Sequence, residues 1–561
     1  MSLVNTTRLT AASSSDDAPF WILRHHSPAS ITALAFLKGI CSPPSQRGTS
    51  ASDASTDGSD EESQSSSSSS ASSSAPPQSV LPQQSRYLLI GDADGNVSLV
   101  DLTSYRAVAH WQAHKAGTSI LGVDDWPYEG LDERYRRRGR RSSKKLRVVT
   151  HGRDNTLKIW SLIVPSTSAL GKTREAPLAE PNLLHTLQVN ALNFCRFSLL
   201  PVEAGKGKSR GQGGADAVGE ESTCEGSEEE AMLAVPHTLD SGYIDIYHLP
   251  SYTRLHTSIG STSSATAQRR VGGVTRAPIV MAMHLFRLCA QRAASVGDEE
   301  GKAGTTGKEE EDSGKDKGTL ALLAGHEDGS LVLWTHPDGR NEGKEPQTQW
   351  KESWRAKPHR ESVLTLSILN IPSSSSIYFL SAGVDDRVVL GSVDLPSPSS
   401  PISVQILHIY TIPNARGGKA ASAFLPLAAG VRIPSKESTQ QTQEGQESRW
   451  EGQGEGEREE LRFLLGAWDG RGKVYSYEPL VPSTSTSTST STPSSASTRE
   501  GGSIACIRTL RYHKEGVQAV ACAALAGAGY GAGERDKNRE REREALIALG
   551  GKEGRVTLWR G

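Results

Sequence analysis

The chain has 561 residues and a formal net charge of −2, so bulk charge points neither to nucleic acid nor to an anionic membrane surface. No apolar run approaches the roughly 18 residues that span a bilayer, and the opening MSLVNTTRLTAASSSDD has neither the apolar core of a signal peptide nor the acid-free composition of an import presequence. Six cysteines, at 41, 195, 224, 289, 506 and 522, form no Cys-x-x-Cys pair, which argues against a disulfide framework or a zinc site and for a soluble intracellular chain with reduced thiols.

Residues 1–19 read as a disordered N-terminus, and FWILRH (20–25) as a short strand. From there one unit recurs seven times. An apolar strand opens each copy: ITALAF (31–36), ILGVDDW (120–126), ALNFCRF (191–197), IVMAMHLF (279–286), VLTLSIL (363–369), ASAFLPL (421–427) and VQAVACAAL (517–525). A hairpin follows, with a Gly/Asp/Asn turn and an alternating outgoing strand: GDADGNVSLV (91–100), HGRDNTLKIW (151–160), LDSGYIDIY (239–247), GHEDGSLVLW (325–334), GVDDRVVLGSV (383–393), GAWDGRGKVYSY (466–477) and GGKEGRVTLW (550–559). Outer strands complete the units at AVAHWQAH (107–114), LLHTLQV (183–189), SYTRLHTS (251–258), a weak candidate near 350–356, VQILHIY (404–410) and CIRTLRY (506–512). No seventh outer strand follows Trp559, and FWILRH is spare at the other end. Pairing the two predicts a closed ring without an exposed sheet edge.

Between these strands lie low-complexity stretches at 42–84, 128–145, 166–181, 202–230, 258–276, 295–318, 337–349, 434–459, 480–503 and 527–544. They carry too little apolar area to offset ordering entropy and read as disordered insertions. Removing them leaves about 45 residues per unit, which matches the roughly 40–45 of a propeller blade. The fold expected is all-β, a seven-bladed WD40 β-propeller. Labelling the strands of a blade a to d from the inside out, nearly all the insertions fall between a and b or between c and d. Those loops share one face of the disc. The other face, made of b–c turns and d–a connections, is compact apart from 258–276.

Blade 2 holds the residues of a buried polar network: His114 in the d–a connection, Thr150 on strand b, Asp154 in the b–c turn and Trp160 on strand c. A histidine between a hydroxyl and a carboxylate satisfies several buried polar groups at once. A Thr-His-Asp nucleophilic set is the competing reading, disfavoured because the repeat places these side chains inside a blade wall. Blade 7 offers His513, Glu553 and Trp559, and blade 5 offers His359 and Asp386 without the Trp. The His25-His26 pair lacks metal-ligand companions. No cofactor motif survives either, because the glycine spacings in 205–214 follow no strand.

RYRRRGRRSSKK (134–145), basic at eight of twelve positions, reads as a nuclear-import address rather than a nucleic-acid contact, since Tyr135 is its only aromatic. On the compact face, Trp468 and Arg471 in the blade-6 turn and Arg153 in the blade-2 turn are the candidate partner-binding residues, because Trp and Arg dominate interface hot spots.

WILRH (21–25), LIGDADG (89–95), THGRDN (150–155), VNALNFC (189–195) and LGGKEGRVTLW (549–559) resemble the ASTRA-associated protein 1 family, fungal WD40-repeat proteins related to the G-protein-β-subunit-like WD proteins. THGRDN and VNALNFC are the distinctive strings. The resemblance covers the blades and none of the insertions. It implies a non-catalytic scaffold subunit of a nuclear assembly with protein partners: RuvB-like AAA+ ATPases, kinase-maturation co-chaperones and a PI3K-like-kinase-related scaffold. That assembly is linked to chromatin remodelling. This chain departs from the pattern in its insertions and in blade-5 strand c, where Gly391 and Ser392 replace a bulky end. A heterotrimeric G-protein β subunit would need an N-terminal coiled coil, and residues 1–19 show no heptad. A ubiquitin-ligase substrate receptor is the alternative function, and no ligase-docking module is visible.

Overall fold

The computed structural model describes residues 18–37, 86–126, 144–164, 178–202, 230–260, 277–288, 318–336, 349–371, 374, 376–395, 402–412, 419–425, 460–478, 503–524 and 545–560. Among them are twenty-eight strands and no helix, in seven four-stranded antiparallel sheets. The first strand is β1 (Trp21–Leu23). Blade 1 comprises β2 (Ile31–Phe36), β3 (Tyr87–Asp92), β4 (Asn96–Asp101) and β5 (Arg106–Gln112). Blade 2 is β6 (Ile120–Trp126), β7 (Lys144–Gly152), β8 (Thr156–Val164) and β9 (Asn182–Gln188). Blade 3 is β10 (Ser198–Val202), β11 (Glu230–Pro236), β12 (Ile244–Leu249) and β13 (Arg254–Ile259). Blade 4 is β14 (Val280–Leu288), β15 (Thr319–His326), β16 (Leu331–His336) and β17 (Lys351–Ala356). Blade 5 is β18 (Val363–Asn370), β19 (Ser376–Gly383), β20 (Arg387–Asp394) and β21 (Ser403–Thr411). Blade 6 is β22 (Lys419–Phe424), β23 (Leu461–Ala467), β24 (Arg471–Glu478) and β25 (Ser503–Arg511). Blade 7 is β26 (Val517–Ala524), β27 (Ala545–Gly551) and β28 (Val556–Arg560), with β1 as its outer strand.

The inner strands β2, β6, β10, β14, β18, β22 and β26 touch in that order, and β26 touches β2. The seven sheets therefore form a β-propeller. Its core is divided into wedges between neighbouring blades. One wedge joins Leu89, Leu99 and Trp111 of blade 1 to Val148, Trp160 and Leu162 of blade 2. Another joins Leu23 and Leu558 of blade 7 to Ile31 and Leu88 of blade 1. The ring closes through Trp21↔Leu558, Ile22↔Thr557 and Leu23↔Val556.

A repeated joint locks blade to blade. A glycine near the end of strand b faces a β-branched residue that opens strand a of the next blade. A Cβ on Gly91 would lie 2.7 Å from Ile120 Cγ2, on Gly325 2.5 Å from Val363 Cγ1, on Gly466 2.7 Å from Val517 Cγ1 and on Gly550 2.4 Å from Ile31 Cγ2. Each approach is closer than van der Waals contact permits, so only glycine admits the neighbour. Burying a Val or Ile this way contributes about 1.5–3 kcal/mol. The joint from blade 2 to blade 3 reverses the sizes. His151 stands where those four blades have glycine, and it packs beside Phe197, their ring centroids 6.5 Å apart.

One expectation needs correction, and two are sharpened. Blade 3 takes Ser198–Val202 as its inner strand; residues 191–197 form a loop instead, where Asn190 Oδ1 accepts the Leu192 N–H and the Asn193 amide donates to the Val280 carbonyl of blade 4. The blade-4 outer strand is a full six residues, Lys351–Ala356. Strand c of blade 5 is a full eight residues, and Phe379 on strand b fills the space over Gly391, whose added Cβ would lie 2.1 Å from that ring.

The insertions leave and re-enter the blades at strand ends, but their bounds shift. Lys144 and Lys145 belong to β7, Val202 pairs with Glu230, Ser258 and Ile259 end β13, and Ser503 opens β25. Ala179 donates its N–H to the Val108 carbonyl at 2.8 Å, so Leu178–Pro181 lie along blade 1. The remaining residues of the insertions, most of the 134–145 basic run and residues 1–17 lie outside the described residues.

Candidate docking face and its buried supports

The blade-2 network assembles as one hydrogen-bonded chain. Trp160 Nε1–H donates to Thr150 Oγ1 at 3.0 Å, Thr150 Oγ1 lies 2.9 Å from His114 Nε2, and His114 Nδ1 lies 2.9 Å from Asp154 Oδ1. Burial lowers the His114 pKa by more than Asp154 raises it, so the ring is neutral at pH 7. Burial alone would raise Asp154, but hydrogen bonds from Thr156 and the contact with His114 hold it below the usual carboxylate range. A neutral ring bonded to a carboxylate at Nδ1 carries its proton there. Nε2 then accepts the Thr150 hydroxyl, whose oxygen accepts from Trp160, and every donor has an acceptor. Thr150 is fully buried, and its oxygen is capped by the indole, so the hydroxyl faces no solvent from which a substrate could approach. Gly152 makes the room: a Cβ there would lie 2.4 Å from His114 Nδ1.

Blade 7 rebuilds the chain with a substituted donor. His513 Nδ1 meets Glu553 at 2.5 Å and Nε2 meets Thr557 Oγ1 at 3.1 Å, with Trp559 Nε1–H donating to the same hydroxyl at 2.9 Å. The hydroxyl thus comes from strand c rather than strand b. In blade 5 the carboxylate differs from the expected one. His359 Nδ1 pairs with Asp385 at 3.0 Å and Nε2 with Ser381 Oγ at 2.9 Å, while Asp386 uses its carbonyl to accept the Ile412 N–H.

Blade 1 carries a network that the sequence reading overlooked. His26 Nδ1 lies 2.7 Å from Asp92 Oδ2, both side chains buried. Its signal was position, since His26 precedes strand a as His114, His359 and His513 do. Among the described residues no group of three or more His, Cys, Asp or Glu side chains has the geometry to hold a metal. Cys195 is free and buried, its thiol pushed up to about 12 by burial, which removes it as a nucleophile.

These supports hold one face rigid. In five blades the residue after strand b donates its N–H to the carbonyl just before strand a: Ala93 to Ser30, Arg153 to Ser119, Glu327 to Ile279, Val384 to Ser362 and Lys552 to Gly516, at 2.8–3.0 Å. The b–c turns and d–a connections are thereby laced together. On this face Trp468 is 48% exposed, and Arg471 turns back toward Asp469, 4.0 Å away. Arg153 lies three blades round the ring from them, its guanidinium 4.1 Å from the Phe194 ring centroid. The three candidate anchors therefore do not form one cluster.

The architecture and the His–hydroxyl–Trp networks define a WD40-type seven-bladed β-propeller. Among curated proteins, the chain is similar to the ASTRA-associated protein 1 of Pyricularia oryzae, at 30% identity over 56% of this chain and 50% of that protein. It is similar also to those of Verticillium alfalfae, at 30% over 55% of this chain and 56% of that one, and of Aspergillus niger, at 25% over 78% and 76%. The matched region thus spans about half the length of the first two relatives. No family model matches the chain.

Proposed function

We propose that this protein is a non-catalytic propeller scaffold of the ASTRA assembly. One observation carries the reading: the face laced by backbone bonds between turns and connections is rigid before a partner arrives, so docking there orders little chain. The fungal relatives bear the name of that assembly. In this reading the partners are RuvB-like AAA+ ATPases, kinase-maturation co-chaperones and a PI3K-like-kinase-related scaffold. The setting is nuclear, and the role lies in chromatin remodelling and in maturing PI3K-like kinases. The basic run 134–145 serves as the import address.

Affinity purification of the tagged full chain from a fungal host, followed by mass spectrometry, tests the assignment. RuvB-like ATPases and co-chaperones should dominate the recovered proteins. Recovery of ubiquitin-ligase subunits in their place would reject the ASTRA reading and support a substrate receptor. A fluorescent fusion with residues 134–141 neutralised should move toward the cytoplasm; one that stays nuclear would assign import to a partner.

A further inference from the structure

The joint between blades 2 and 3 departs from the four glycine joints, and it does so toward solvent. At the glycine joints a β-branched residue enters the preceding blade, but here His151 already fills the slot. The incoming segment 189–197 is held away as a loop. Its alternate residues point in opposite directions: Ala191, Asn193, Cys195 and Phe197 are buried, while Leu192, Phe194 and Arg196 face outward.

The loop is pinned. Val189 N–H donates to the Asn155 carbonyl at 3.0 Å and Ala191 N–H to Asn155 Oδ1 at 3.1 Å, both in the blade-2 turn. The Asn193 amide reaches the Val280 carbonyl of blade 4. Thus THGRDN and VNALNFC are the two halves of one interblade joint.

What this joint presents is apolar. Leu192 is 74% exposed and Phe194 58% exposed, the latter held at φ 58° in the left-handed region that large side chains avoid. Leu239, at the tip of the adjoining blade-3 turn, is 89% exposed. That turn is tied to the loop by Thr238 Oγ1, which donates to the Gln188 carbonyl. Side chains of this size, exposed together on a rigid base, mark a recognition surface.

Exposed cations flank the Phe194 end of the patch. Arg153 lays its guanidinium on the outer Phe194 ring, and among the described residues no carboxylate forms a salt bridge with it. Lys115 is exposed beside the same turn, its N–H bonded to Asp154. The two acids of the adjoining turns already accept hydrogen bonds. Asp154 bonds His114 and Thr156, and Asp240 accepts the Gly242 N–H at 2.9 Å. An occupant must therefore bring apolar side chains and its own carboxylates.

We propose that Leu192, Phe194, Leu239 and Arg153 form a docking site for an acidic-apolar peptide segment of a partner protein. Leu or Phe side chains of that segment cover the Leu192–Phe194 ridge, and an Asp or Glu pairs with Arg153 while the Phe194 ring stays beneath the guanidinium. The inference stands on the joint alone and invokes no ASTRA subunit, so its failure leaves the assembly assignment untouched.

The test is selection of displayed random 16-residue peptides on the full chain, with counterselection against Phe194→Asn. Asn tolerates left-handed backbone, so this variant keeps the loop, and equal thermal melts of variant and wild type check that it does. The recovered peptides should place Leu or Phe within a turn of two or more acids. Their affinity should fall at least tenfold on Phe194→Asn, on Leu192→Ser and on Arg153→Glu, and should weaken as salt rises. Recovery of basic peptides, equal binding to all the variants, or no peptide above the counterselection would overturn the proposal. So would concentration-dependent self-association of wild type that Phe194→Asn abolishes, which would make the patch an interface between copies of this chain.

Discussion

Truncating Leu23 to Ala should measure how much the closing strand holds the ring together. Leu23 is 1% exposed. It faces Val556 across the β1–β28 register and packs in the wedge with Ile31 and Leu558. Removing such a side chain costs its transfer free energy plus the cavity it leaves, about 3 kcal/mol. Unfolding entropy of about 2.1 cal/mol/K per residue over roughly 290 described residues converts this to a fall in melting temperature of about 5 °C. Val556→Ala should cost about 2 kcal/mol by the same argument. The double variant should lose less than the sum, by about 0.5 kcal/mol or more, because each truncation removes contacts counted in the other. Urea unfolding of the four proteins supplies the cycle. A Leu23→Ala melt within 1 °C of wild type, or strict additivity, would refute closure through this pair.

Asp154→Ala should cost about 1–3 kcal/mol by removing the carboxylate acceptor of His114, Thr156 and the Lys115 amide, and an unchanged melting curve would contradict the network. In blade 5, Asp385→Ala should destabilise by a similar amount and Asp386→Ala by less than about 0.5 kcal/mol; the reverse order in thermal melts would restore the sequence-based assignment. Burial holds His151 at about 3 and His25 at about 4, against 6.5 in the unfolded chain. Both are neutral when folded, and the unfolded state alone gains protons as pH drops below 6.5. Stability should therefore fall by about 2 kcal/mol per histidine between pH 7 and pH 5. His151→Phe should remove its share of that slope, and equal slopes in urea titrations of variant and wild type would count against it.

The sequence revealed the blades because each b–c turn must reverse the chain in few residues. Gly95, Gly329, Gly470 and Gly554, all at positive φ, mark those reversals by residue type. It misled at 191–197 because ALNFCRF is apolar at five of seven positions and so reads as a buried strand. The structure alternates inward and outward side chains along the segment but gives it no ladder, since the Ala191 and Leu192 amides are bonded to asparagine side chains. Alternation reports which way side chains point, not which backbone they pair with. Asp385 and Asp386 are adjacent and chemically identical, so only the register of the turn selects the partner of His359. The exposed ridge was hidden for a related reason: Leu192 and Phe194 look like core in so apolar a segment, but Phe197 is the residue that packs beside His151.

Closure of the ring through β1 also sets an order of events during synthesis. Roughly 530 residues separate Leu23 from Val556, and at about 5–20 residues per second the first strand waits about half a minute to nearly two minutes for its partner. Until then blade 1 has no neighbour on one side, and Ile31 has no Gly550 to enter. A nascent chain that stalls within blade 7 leaves two open sheet edges at once, one on each side of the gap. The same pairing sets both ends of the described chain in a single blade, so a probe attached near either end reports on the seam where the ring is sealed last.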